Sequence, residues 1–101
     1  MASVAAPLRY IRLVEQLDIQ LDQQRLMAFD GRVLEVFGGA VRRFHVALLT
    51  VAVSDPDKRG NRNVTLTQAA NDSSLPIDES TFERLAPLLD ALKSAGVTVR
   101  T

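Results

Sequence analysis

Between Gln16 and Leu21 apolar and polar residues alternate, with Leu17, Ile19 and Leu21 on one parity and Gln16, Asp18 and Gln20 on the other. That is the period of a strand with one buried face. Upstream the pattern is double. Ile11 and Leu13 continue the strand parity, but Tyr10, Leu13, Val14, Leu17 and Leu21 also make a helical stripe, so residues 8–15 read either way. Asp22-Gln23-Gln24 is a short polar turn. Phe29 to Val53 is dense in Val, Leu and Phe and is cut by Asp30-Gly31 and Gly38-Gly39. It predicts three consecutive antiparallel strands around which the remaining chain packs. Arg25–Phe29 and Arg32–Phe37 flank Asp30-Gly31, which reads as a type I′ hairpin because that turn needs positive φ at both central positions. Gly38-Gly39 permits a second reversal.

Residues 41–53 change phase. Phe44, Val46 and Leu48 share one parity, and Leu49, Val51 and Val53 take the other. A strand with one face in a core must bulge or bend to do this, here near Leu48–Thr50. Burial on both faces is the alternative, against which Arg42, Arg43 and His45 speak. Ser54–Arg62 is a loop by composition. Asn63–Gln68 alternates again, with Val64 and Leu66 inward, and Ala69–Ser74 is small and polar.

A helix is predicted over residues 80–95. Ser80 and Glu83 match a capping box. Phe82, Leu85, Leu89 and Leu92, flanked by Leu88, form one apolar stripe. Gly96 closes it in the left-handed region. Pro87 either kinks one helix or opens the main helix after a separate turn. Val97–Arg100 reads as a last short strand.

The 101 residues make one domain, with residues 1–7 a loose end, 8–68 mainly antiparallel strands and 80–95 the terminal helix. The expected class is α+β, mainly β. There is no cysteine, which removes disulfides, thiolate catalysis and zinc-thiolate sites and fits a reducing cytoplasm. The opening MASVAAPLRY lacks the basic and apolar regions of a secretory signal. The longest apolar runs, such as Val46–Leu49, are far short of a membrane span.

Twelve basic and twelve acidic residues cancel, and neither half of the chain is a polyelectrolyte, so nucleic acid is not an expected partner. Arg42, Arg43, Lys58, Arg59 and Arg62 stand against only Asp55 and Asp57 across residues 42–62. These five basic residues are the candidate binding residues. A hairpin would place Lys58, Arg59 and Arg62 at its tip and Arg42 and Arg43 at the other end of the strand, in two patches.

The phrase FDGRVLEV, then RRFHVALLTVAV, a polar hairpin, NVTLT and a terminal helix resembles bacterial pleckstrin-homology-like domains, over roughly residues 16–96. The resemblance implies a bent antiparallel sandwich or partly open barrel with the helix at one end. It also implies a scaffold that binds other proteins or associates with itself. The chain departs from the family pattern twice. It has no Trp in the helix, and Asp22-Gln23-Gln24 lacks the positive charge of lipid-binding members.

Catalytic chemistry finds little support. His45 is the only histidine and has no nucleophile or carboxylate partner fixed by spacing. Asp55 and Asp57 flank Pro56 without the further oxygen ligands of a calcium loop. Gly38-Gly39 lacks the spacing of a phosphate loop. No cofactor or metal is expected. The expected function is non-enzymatic: a module for protein–protein contact or self-association. A weak anionic-ligand or membrane-lipid binder is the alternative, and a carrier or enzyme with an apolar cavity the second.

Overall fold

A computed structural model of the chain describes residues 16–101. The expectations for residues 1–7 and 8–15 lie outside the described residues. Strands β1 (Leu17–Gln20), β2 (Leu26–Phe29), β3 (Val33–Gly38) and β4 (Ala40–His45) form one antiparallel sheet in the order β1-β2-β3-β4. The register pairs Leu17 with Phe29, Met27 with Val36 and Leu34 with Phe44. It therefore gathers the apolar parity of each strand on one inner face.

The turn between β2 and β3 differs from the type I′ expectation. Gly31 has φ +98°, but Asp30 stays outside the left-handed region. Its carboxylate does the work of the second turn residue, accepting the N–H groups of Arg32 and Val33, each at 2.9 Å. Asp at this position satisfies two amides that would otherwise face solvent.

The phase change in residues 41–53 marks a passage between sheets. The chain turns at Val46–Leu48, where Leu48 N–H donates to the His45 carbonyl at 2.9 Å. It then enters β5 (Leu49–Val53) in a second sheet. Phe44 and Leu49 both face the core although their parities differ, because a turn rather than a bulge separates them. The three expected consecutive antiparallel strands are β2, β3 and β4; what is corrected is the single strand expected over residues 41–53, since among the described residues no ladder joins β4 to β5.

The second sheet contains β6 (Arg62–Gln68), β7 (Asn71–Ile77) and β8 (Thr98–Arg100) in the order β7-β6-β5-β8. Most of Ala69–Ser74, small and polar in sequence, is thus strand. Asn71–Ile77 has weak strand character by itself, but Ser73, Leu75 and Ile77 pair with Leu66, Val64 and Arg62 of β6. Ala69 takes φ +55° in the tight turn that permits this. Pro76 is tolerated because β7 is an outer strand, where a missing N–H breaks no ladder between neighbours on both sides. The anticipated short strand after Gly96 is β8, and it runs parallel to β5.

Helix α1 (Glu79–Ser94) completes the fold. Its N-cap is Asp78, whose carboxylate accepts the Thr81 N–H at 2.8 Å, so the capping box expected at Ser80 is corrected by two residues. Two contacts with β1 and its turn decide the choice. The Thr81 hydroxyl donates to the Leu21 carbonyl at 3.3 Å, and Arg84 donates to the Gln20 carbonyl. The helix is unbroken through Pro87. Pro87 and Glu83, whose carbonyl loses its partner, both lie on the exposed side. Gly96, at φ +96°, ends the helix. Its N–H donates to Lys93 and the Val97 N–H to Leu92, both at 3.0 Å, which is the Schellman pattern.

The inner faces of both sheets and the stripe Leu85, Leu88, Leu89 and Leu92 share one core. Leu34, Val51 and Leu85 are completely buried, one from each layer. The result is an α+β, mainly β sandwich whose sheets do not close into a barrel. Charged side chains tie its upper corner, where Arg25 reaches Pro76, and its lower corner, where Arg42 reaches Ser73.

Candidate interaction surfaces

The five basic residues separate into three environments. Arg62 opens β6 and is not part of a solvated tip. Its side chain is only 17% exposed, it pairs with Glu79 at 3.0 Å, and its guanidinium lies 4.2 Å from the centre of the Phe82 ring. Glu79 and Phe82 belong to the first turn of α1, so Arg62 links the second sheet to the helix. That use removes it from the binding set.

Lys58 and Arg59 do project from the β5–β6 loop, and both are exposed. Asp57 organises this loop. Its carboxylate accepts the N–H groups of Arg59 at 2.8 Å and Asn61 at 2.9 Å, and Gly60 takes φ +83°. Asp55 and Asp57 stand in the same loop, so two acids offset two bases once Arg62 is committed to Glu79. The charge excess legible in the sequence therefore does not survive at the tip.

Arg42 and Arg43 stand on β4, the outer strand of the first sheet. Residues 40–43 are all exposed, and Val41 remains 55% accessible. Arg43 pairs with Glu35 across the strand at 2.8 Å, while Arg42 donates to the neutral Ser73 hydroxyl at 2.8 Å. One positive charge here has no acidic partner among the described residues.

The backbone of β4 has a definite polarity. Val46 N–H donates to the Arg32 carbonyl at 2.9 Å, so even-numbered residues turn their amides toward β3. His45 N–H points the other way, to the Gln68 side-chain oxygen at 3.0 Å. By antiparallel alternation Val41 and Arg43 also direct N–H and C=O groups away from β3. Among the described residues these amides have no partner. No protein-family model, curated protein or solved structure matches the chain.

A cleft of about 210 Å³ lies at the other corner, floored by Leu21 and Ile77 and rimmed by Asp22, Arg25, Asp78 and Thr81. Its polar groups are engaged in holding the corner. Arg25 donates to the Asp22 carboxylate and to the Pro76 carbonyl, both at 2.8 Å. A Cβ on Gly38 would come within 2.9 Å of the Arg25 Cγ, so a glycine there lets the arginine stem pass. The Gln24 N–H, followed by Arg25, holds the Asp22 carboxyl below its ordinary value. Asp78 is lowered by Thr81. Carboxylates held ionised by structural bonds are poor proton carriers near neutral pH.

His45 is exposed, and its Nδ1 accepts the Ala47 N–H at 3.1 Å, which fixes the turn out of β4. Among the described residues no group of three or more His, Asp or Glu side chains is placed to hold a metal ion. No helix among them is long and apolar enough to cross a membrane.

The residue missed by the sequence reading is Val41. The available signal was that Ala40 and Arg42 share the parity of Phe44, so β4 has weakly apolar character on both faces, as an outer strand does.

Proposed function

We propose that this chain is a non-enzymatic, pleckstrin-homology-like scaffold for protein–protein contact. The succession of four antiparallel strands, a second four-stranded sheet and a C-terminal helix followed only by β8 supports that family reading. So does the position of the helix, whose stripe covers the core shared by the sheets. The single observation that carries the functional part is β4: a sheet edge with four consecutive exposed residues, Val41 among them, and one arginine without an acidic partner among the described residues. An edge of this kind presents backbone donors and acceptors in a row, which is the usual means by which a sheet takes up a partner. The absence of cysteine fits a reducing cytoplasm. The neutral charge balance of the β5–β6 loop gives the membrane-surface alternative no comparable support.

The test is cross-linking in the native host combined with light scattering of the purified chain. A specific cross-linked partner, or a concentration-dependent oligomer, is expected with the wild type and is lost on R42E/R43E. A strict monomer from which no partner is recovered overturns the reading.

A further inference from the structure

Resting on that reading, we infer that the β4 edge accepts an extended acidic segment of another protein as a fifth strand of the first sheet, and not a second copy of this chain. Three observations lead there. First, among the described residues β4 is the outer strand with the longest free row. β8 is only three residues long, the Gln20 carbonyl of β1 is taken by Arg84, and β7 carries Pro76, which has no N–H and whose carbonyl is taken by Arg25. On β4, Val41 and Arg43 offer two N–H and two C=O groups, and the Gln68 side chain closes the row at His45. Second, the charge is one-sided. Arg42 and Arg43 are exposed, and among the described residues only Glu35 answers them. A strand carrying acids opposite Arg43 and Arg42 and an apolar residue opposite Val41 matches the edge position by position. Third, that same charge rejects self-pairing. Two copies of β4 laid antiparallel about Arg42, the centre of the free row Val41–Arg43, place Arg42 opposite Arg42 and desolvate like charges, which destabilises a strand pair. Arginines on an edge are also a known defence against edge-to-edge aggregation. Here that defence leaves acidic partners admitted.

The probe is the peptide Thr-Val-Glu-Glu-Val-Thr, compared with Thr-Val-Lys-Lys-Val-Thr, titrated into the full chain and followed by backbone amide NMR. The acidic peptide is expected to give saturable shifts centred on Val41 and Arg43. The lysine peptide should bind about tenfold or more weakly, since like charges then face each other. Raising salt should narrow the difference. The decisive variant is Val41→Pro. It removes an outward N–H while leaving the β3 ladder intact, so its dispersed spectrum should persist while binding is lost. Equal response to both peptides overturns the inference, as do shifts centred on the β5–β6 loop or unchanged binding by Val41→Pro. A wild-type dimer that Val41→Pro dissociates also overturns it, by making a second copy the occupant. A cross-linked partner retained by Val41→Pro likewise sinks the edge inference, yet leaves the interaction-module reading standing.

Discussion

The guanidinium of Arg62 lies 4.2 Å from the centre of the Phe82 ring and 3.0 Å from the Glu79 carboxylate. One side chain on β6 thus meets both the charge and the aromatic ring of the first helical turn. Its third contact, to the Ser54 carbonyl at 3.3 Å, closes the base of the β5–β6 loop. The cation–π contact is worth about 0.5–2 kcal/mol and an ion pair this exposed at Glu79 about 0–1 kcal/mol.

Arg62→Ser should therefore lower unfolding stability in urea by about 1–2 kcal/mol, with Arg62→Lys recovering part of the loss. The double change Lys58→Ser/Arg59→Ser should stay within about 0.5 kcal/mol. Equal effects from the two variants would mean that Arg62 is no more structural than the tip.

Leu85 is completely buried between the sheets and the helix. Leu85→Ala should cost about 2–5 kcal/mol, the range for a leucine truncated in a core that relaxes only in part. A loss below about 1 kcal/mol, measured by the same denaturant titration, would contradict the packing of α1 on the core.

Gly96→Ala forces a Cβ into the left-handed conformation that ends the helix, at a site with no neighbouring atom to clash. The strain is local to the backbone, so the expected destabilisation is about 1–2 kcal/mol. Gly96→Asn should lose less, because asparagine visits this region more readily. If alanine is neutral there, the Schellman geometry is not what terminates α1.

The pH dependence follows from three carboxyls. Asp22 is lowered by the Gln24 N–H and then Arg25, Asp30 by the N–H groups of Val33 and Arg32, and Asp78 by Thr81. Each folded-state value lies below the ordinary 3.8, so the unfolded chain binds protons first as pH falls. The stabilisation is complete above the unfolded value. It declines as pH drops through 3.8 and is gone once the folded-state carboxyls protonate. Urea midpoints should thus be flat near neutrality and fall in acid. The combined change D22N/D30N/D78N should reduce that acid slope, and an unchanged slope would place the acid sensitivity elsewhere.

Local pattern determined much of this protein. Strict alternation placed Leu17, Ile19, Val64 and Leu66 on inner faces, and the 3.6-residue stripe placed Leu85, Leu89 and Leu92. Gly31 and Gly96 marked reversals because their positive φ is a property of the residue itself. These features depend on neighbours within one turn or one strand, so the chain carries them openly.

Tertiary structure decided the rest, because the deciding partners are distant in sequence. Asn71–Ile77 is a strand only because β6 offers it a ladder. The phase change after Phe44 became a crossing between sheets because each sheet needed its own inward face. The helix starts at Asp78 rather than Ser80 because Thr81 meets Leu21, sixty residues away in the chain. Most consequential for the site, Arg62 and Arg42 look alike as isolated charges in a list of residues. Glu79 and Phe82 draw Arg62 into the structure, whereas Arg42 donates to neutral Ser73, and that difference in environment leaves Arg42 on β4 with no acidic partner among the described residues.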